Sequence, residues 1–265
     1  MNADDFGFTP DVNDGIVEAH RNGILTATTL MANGGAFDHA IALARRNPAL
    51  DIGCHLVLVG GDSLLDGRAL PTTVAELLRG MVIGQWNAYR ELKAQVEKIL
   101  AAGITPTHLD THKHTHLFPP VLNTVARLSA EFGIPWVRRP FDFPMTGSPV
   151  PPARRALGQA LGFLRPRFHA VLSRFGCRTT DYFAGFGLTG AFEADDLVRL
   201  IANLPEGSTE FMCHPGFLRA ELQAARTRLK QSREEELKAL TDPSLRPALT
   251  AALVQLTNFR SLGSR

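Results

Sequence analysis

The hydrophobic pattern of this chain switches repeatedly between a helical and an extended period. Thr9-Pro10 reads as an N-cap followed by a first helical residue, and Val12, Ile16, Val17, Ala19 and His20 form a stripe that Gly23 closes. The β-branched and apolar run 24–33 predicts a strand ended by Gly34-Gly35. Phe37, Ala40, Ile41 and Ala44 mark a second helix that stops before Pro48, and 51–59 reads as a buried strand carrying His55. A Gly-rich loop over 60–73 follows. Helical patterns then cover 74–79 and 85–102, the second with Trp86, Tyr89, Leu92, Val96, Ile99 and Leu100 as its apolar stripe. Next come a His-rich strand at 107–116, a helix over 120–131 and a strand at 134–138. Farther on lie a helix at 195–203, a strand at 210–217 ending in a turn, and charged helices at 218–240 and about 244–257.

Strand and helix patterns alternate at least five times, which points to parallel β/α units with both sheet faces covered. The expected fold is therefore α/β, a (β/α) barrel-like single domain over 1–265. No internal repeat and no firm boundary divides the chain. One stretch departs from the pattern. From Phe143 to Thr180 there is no acidic residue, whereas Arg154, Arg155, Arg165, Arg167, Arg174 and Arg178 interleave with Leu157, Leu161, Phe163, Leu164, Phe168, Val171, Leu172 and Phe175. This is a basic amphipathic excursion, broken near Pro166. Such a segment suits an anionic membrane surface or a cover for a greasy substrate. The blander reading packs it on the barrel with its arginines solvated.

Composition narrows the partners. Of 265 residues, 45% are apolar and 20% charged, ordinary for a soluble globular protein, and a net charge of +2 does not suggest a nucleic-acid partner. Cys54, Cys177 and Cys213 contain no CxxC, which fits a reducing compartment. Asp4 and Asp5 stand where a signal peptide would be basic, and no apolar run approaches a membrane span. The expected location is the cytoplasm, with peripheral contact at the inner membrane through 143–180 as an extension of that reading. No GxGxxG or GxxxxGK[ST] appears, so no nucleotide fingerprint is seen.

The chemistry concentrates in Thr107-His108-Leu109-Asp110-Thr111-His112-Lys113-His114-Thr115-His116, which holds four of the nine histidines. If extended, it places His108, Asp110, His112, His114 and His116 on one side, over about 26 Å. One ion cannot take all five, so the other ligands must come from elsewhere. A lone histidine is usually a satisfied core or surface residue, but several imidazoles on one face gain little by packing. Asp4, Asp5, His55 and His214 also fall at predicted strand ends, which converge in a β/α barrel. Asp5, His55 and His112 make a set of one carboxylate and two imidazoles suited to a divalent cation. Asp4 beside it suits a base, His214 an acid, and Asp110 an orienting partner for an imidazole. His114, His116 and Arg138 complete the residues expected behind the ligands or against substrate. Zn²⁺ or Mg²⁺ fits this set, with Mn²⁺, Ni²⁺ or Co²⁺ as alternatives.

Asn2-Ala3-Asp4-Asp5-Phe6-Gly7, Gly53-Cys54-His55, the His-rich stretch and Cys213-His214-Pro215-Gly216-Phe217 resemble the YdjC-like, chitooligosaccharide deacetylase-like carbohydrate deacetylases. The resemblance runs in order from residue 2 to about 217. It implies a barrel-like fold and metal-dependent removal of acetyl from an N-acetylated sugar. It also implies that Asp5, His55 and His112 hold the metal, with Asp4 as base and His214 as acid, the division between the two aspartates being the least specific part. Within the family the chain is most similar to the branch associated with hopanoid biosynthesis, which deacetylates an N-acetylglucosaminyl group on a hopanoid lipid. A soluble chitooligosaccharide is the alternative substrate, and a homodimer stays open.

Where relatives carry several apolar residues ahead of the first motif, only Met1 precedes it here. The expectation is either a start placed too far downstream, or a first strand of three or four residues that would leave a barrel seam exposed and Asp4 and Asp5 loosely held. Two rival functions remain. The HxH of His112-Lys113-His114 would suit an amidohydrolase or phosphoesterase, though no bridging lysine or extra carboxylate set accompanies it. A sugar-lipid binding protein with an impaired site is the rival outside enzymology.

Overall fold

The computed structural model describes residues 1–144, 150 and 152–262. Seven parallel strands build one curled half-barrel sheet: β1 (Asn2–Phe6), β2 (Ala27–Leu30), β3 (Asp51–Leu56), β4 (His108–Thr111), β5 (Trp136–Val137), β6 (Tyr182–Ala184) and β7 (Thr209–Cys213), in the order β5-β4-β3-β2-β1-β7-β6. The gap between the two edges is narrowed by isolated bridges, Trp136 with Arg178 and Asp142 with Phe183. Helices connect the strands and cover the sheet, as parallel pairing requires. A continuous core joins them, from Ala3, Phe6 and Ile16 through Leu56, Val96 and Leu109 to Phe211 and Leu240. Each such leucine or isoleucine contributes about 2 kcal/mol through burial.

Local signals set many of the boundaries. The Thr9 hydroxyl accepts from the Val12 N–H at 3.2 Å at the start of α1 (Pro10–Asn22), with Pro10 in the first turn. The helix α2 (Phe37–Arg46) buries the four apolar residues the periodicity selects. After the loop, α3 (Val74–Val82) opens on a Thr73/Glu76 capping box and leads into α4 (Ala88–Ala101). The helix α5 (Pro119–Phe132) starts on two prolines and ends at Gly133, whose φ of 65° is the left-handed cap. Then follow α6 (Pro152–Gly162), α7 (Arg165–Arg174) and α8 (Ala194–Ala202). Pro166 sits in the first turn of α7, so the break expected near it is a junction between two helices.

The structure corrects several expectations. The first strand is not a loose stub: all five residues of β1 are buried between β2 and β7, and the Met1 ammonium donates to Thr26 Oγ1 at 3.2 Å. It is irregular, however, with a register shift between Ala3 and Phe6. The His-rich run is extended only to Thr111, because Lys113 and His114 turn left-handed with φ of 54° and 50°. The charged stretch 218–240 divides into α9 (Ala220–Ala224) and α10 (Gln231–Leu240). The chain closes with α11 (Leu245–Ala251) and α12 (Phe259–Leu262). The strand β6 was not foreseen: three residues are too few for a period to show. Among the described residues, no helix is long and apolar enough to cross a membrane.

Candidate active site

Parallel strands bring their C-terminal ends to one rim, and the polar groups of the sequence motifs meet there. Asp5 lies on β1, His55 on β3, and His112 immediately after β4. Asp5 Oδ1 is 3.3 Å from His55 Nε2 and 3.2 Å from His112 Nδ1, and the two imidazole nitrogens are 3.1 Å apart. Donors bound to one divalent cation at about 2.0–2.2 Å stand about 2.9–3.5 Å from each other, so this triangle has the edge lengths of a metal site. Asp5 Oδ1 is buried without a hydrogen-bond partner, an oxygen in want of a cation. Burial lowers the pKa of His55, but Asp110, Asp5 and Asp4 outweigh it and raise it to about 10. The pocket therefore favours positive charge at this position.

Two backbone features create the triangle. Along a regular strand Asp4 and Asp5 would face opposite sides. Asp5 instead takes φ of 70° at the irregularity in β1, and both carboxylates reach the site. The pairing register sets His55 beside Asp110, whose Oδ1 lies 2.7 Å from His55 Nδ1. That contact leaves Nε2 as the nitrogen facing Asp5 and His112.

Behind the triangle sits Arg138, 2% exposed and surrounded by carboxylates. Its guanidinium donates to both oxygens of Asp4 at 2.7 and 2.8 Å and to Glu210 at 2.7 Å, and it forms an ion pair with the Asp110 carboxylate at 2.8 Å. Burial opposes the charge on Asp4, yet Arg138, His55 and His214 prevail and hold its carboxyl well below the usual range. Glu210 moves the other way, pushed up chiefly by burial. Arg138 is thus an internal clamp on Asp4, placed behind the triangle.

His214 follows β7, with Nε2 3.8 Å from Asp4 Oδ2. Burial lowers its pKa to about 4, against the pull of Asp4 and Asp5. Its other nitrogen, Nδ1, is 4.0 Å from Glu236 Oε2, and its backbone N–H donates to that same oxygen at 2.5 Å. Burial raises Glu236 to about 7, although the His214 and Gly190 backbone N–H groups hydrogen-bond to it. The loop that follows is packed closely: a methyl on Gly15 of α1 would stand 2.5 Å from Gly216 Cα.

The remaining histidines separate. His114 is buried beside the aromatic rings of Phe183 and Phe186, with ring centroids 6.2 and 5.4 Å away. His116 is enclosed, with Nδ1 2.6 Å from Thr111 Oγ1 and Nε2 3.0 Å from the Arg138 carbonyl, a position that fixes the backbone behind the site. His108 does not join the site at all; it stacks on Phe259 at 3.9 Å and meets Asn2.

Sequence reading missed Arg233, Glu236 and Glu210. The Arg233 guanidinium pairs with Asp5 Oδ2, which leaves Oδ1 to face the imidazoles. A signal did exist: Arg233, Glu236, Leu237 and Leu240 share one stripe of α10, so two charges occupy buried-face positions.

A curled parallel sheet with a two-histidine, one-aspartate cluster at its strand ends defines the class: a β/α half-barrel with a candidate metal centre. The description of YdjC-like protein matches residues 1–251, and the chain belongs to that family. It is 36% identical to a carbohydrate deacetylase of Geobacillus stearothermophilus, covering 98% of this chain and 96% of the relative. It is 34% identical to a carbohydrate deacetylase of Brevibacillus brevis, covering 99% and 98%. Among solved structures, a putative cellobiose-phosphate cleavage protein of Enterococcus faecalis superposes with a TM-score of 0.78 at 25% identity, over 98% of this chain and 97% of the other. A lactam utilization protein of Thermus thermophilus shares the fold, with a TM-score of 0.50 at 13% identity over 97% of each chain. With relatives of this identity along nearly its full length, the chain is an enzyme.

Proposed function

We propose that the protein is a metal-dependent carbohydrate deacetylase that hydrolyses the N-acetyl group of an N-acetylglucosaminyl substrate. The observation that carries this reading is the triangle of Asp5 Oδ1, His55 Nε2 and His112 Nδ1, with Asp4 and His214 at its side. Asp5, His55 and His112 would hold one divalent cation, Zn²⁺ or Mg²⁺ in the first instance. When bound, such a cation polarises the acetyl carbonyl and makes water a better nucleophile.

The chain's own groups supply the proton movements. Asp4, kept ionised by Arg138, accepts the proton of the attacking water. Asp4 Oδ2 and His214 Nε2 are 3.8 Å apart, longer than a hydrogen bond, so the proton reaches the imidazole through a solvent molecule between them. His214 then delivers it to the amine nitrogen as the C–N bond breaks, and acetate and the free amine leave. A depressed pKa makes the protonated imidazole a ready donor, and Glu236 beside Nδ1 steadies its transient charge.

The substrate is read as lipid-linked, with a hopanoid as the aglycone the family resemblance implies. Support comes from α6, none of whose residues is buried, in a segment without acidic groups. A soluble chitooligosaccharide is the second reading, supported by relatives named simply for carbohydrate. The test is acetate release from both substrates, before and after chelation and after return of Zn²⁺ or Mg²⁺. Release that survives complete metal removal, or that persists in Asp4→Ala, would refute the mechanism. Binding of both sugars with no release by the metal-loaded protein would favour the binding-protein alternative.

A further inference from the structure

We propose that α6 and α7 form a docking surface for an anionic lipid bilayer beside the mouth of the site. The proposal extends the reading of a lipid-linked substrate, because it names the surface from which that substrate would be presented. The helix α6 buries none of its residues, while α7 is anchored through Phe168 and Leu172. At the junction between them Phe163 is 88% exposed, with Leu157 at 50% and Leu164 at 37%. An aromatic wedge flanked by leucines on a helical hairpin gains little in water and much at the boundary between headgroups and acyl chains.

The charge around the wedge fits one partner. Arg155, Arg165, Arg167 and Arg174 are exposed, and Arg167 and Arg174 lie two turns apart on the same side of α7. No acidic residue occurs from Phe143 to Thr180. The flanking carboxylates already have partners: Asp142 accepts from the Phe186 and Gly187 N–H groups, and the exposed Asp181 accepts from the Ser208 N–H and hydroxyl. A second copy of this chain placed on the same surface would set arginine against arginine. A bilayer carrying phosphatidylglycerol supplies both the opposite charge and the apolar interior.

Position links this surface to the chemistry. Arg154 donates to the carbonyls of Gly187 and Thr189, at 3.3 and 2.9 Å, tying α6 to the loop after β6. The same loop carries Phe186, whose ring centroid is 5.4 Å from that of His114. A sugar carried on a lipid anchored under the hairpin would therefore enter the site from its near side.

The experiment is co-sedimentation of the full chain with vesicles of phosphatidylcholine alone and with about a quarter phosphatidylglycerol, with acetate release from soluble N,N′-diacetylchitobiose followed in parallel. The wild-type protein should bind the anionic vesicles at least about tenfold better than the neutral ones, and high salt should abolish the difference. Phe163→Ser should weaken binding severalfold, and the double variant Arg167→Glu, Arg174→Glu should remove it. Release from soluble N,N′-diacetylchitobiose should be unchanged in both, and release from a vesicle-borne substrate should fall with binding. Wild-type protein that ignores anionic vesicles would overturn the proposal, as would Phe163-dependent dimerisation without vesicle binding. Anionic-vesicle binding that depends on Phe163 and the arginines, in a protein that releases no acetate from any sugar, would support the docking surface and refute the deacetylase reading.

Discussion

Asp110 stands outside the proposed Asp5, His55 and His112 triangle, yet its replacement should cost metal affinity. Oδ1 of Asp110 lies 2.7 Å from His55 Nδ1, while Oδ2 pairs with the Arg138 guanidinium at 2.8 Å and accepts from the Thr29 hydroxyl at 3.0 Å. Asp110→Asn keeps the shape but replaces one oxygen with an NH₂. If that NH₂ faces His55, Nδ1 must accept and the ring proton moves to Nε2, the atom needed as a ligand. If it faces Arg138, donor meets donor in a buried site. Either arrangement forfeits a charge-assisted hydrogen bond, about 1.5–3 kcal/mol. Loss of an orienting partner behind a ligand histidine typically weakens metal binding about 10–100-fold, or roughly 1.4–2.7 kcal/mol. The two estimates overlap, so Kd for Zn²⁺ should rise about 10–100-fold when metal-free protein competes with a chromogenic chelator. A Kd within about twofold of wild type would show that Asp110 does not set the His55 tautomer.

Other outcomes follow from the same geometry. Burial lowers His214 from 6.5 to about 4, so folded protein binds fewer protons there than unfolded protein, and this group's contribution to stability rises with pH across that window. Burial raises Glu236 from 4.5 to about 7, so folded protein binds more protons there, and its contribution falls as pH rises across that window. The two slopes oppose each other between pH 4.5 and 6.5. His214→Asn should therefore reveal a Tm that falls with rising pH, and Glu236→Gln one that rises; identical profiles would refute the opposition. Gly15→Ala should cost about 1–3 kcal/mol and reduce acetate release, since its methyl would press on Gly216 beside His214, and an unchanged Tm would count against that close packing. His116→Ala should lower thermal stability by about 1–3 kcal/mol while sparing metal affinity, because its ring bonds Thr111 and the Arg138 carbonyl. His112→Ala should do the reverse, and the chelator assay with thermal unfolding separates the two.

Periodicity and short-range capping chemistry carried the fold class and most helix positions. The stripe of α1 between Thr9 and Gly23, the four buried apolar residues of α2 and the alternation of elements all read out from neighbours along the chain. The same local logic placed Asp5, His55, Asp110 and His214 at strand ends, since a strand ends where its apolar run does. It failed where the backbone leaves its common states. The extended reading of 107–116 broke at Lys113 and His114, and the alternation rule would have parted Asp4 from Asp5. Left-handed angles at non-glycine residues cost about 1 kcal/mol or more each, and persist only when surrounding contacts overdetermine them.

For Asp5 those contacts come from far along the chain: Arg233 on α10 takes one carboxylate oxygen and the imidazoles of His55 and His112 face the other. Arg138 likewise gathers Asp4, Asp110 and Glu210 from three separate strands. By itself, then, the sequence determined a parallel β/α chain and the residue types at its strand ends, because periodicity and capping act over a few residues. Only the tertiary structure decided which carboxylate oxygen faces which imidazole, because that choice is made by buried charges brought together across more than two hundred residues of chain.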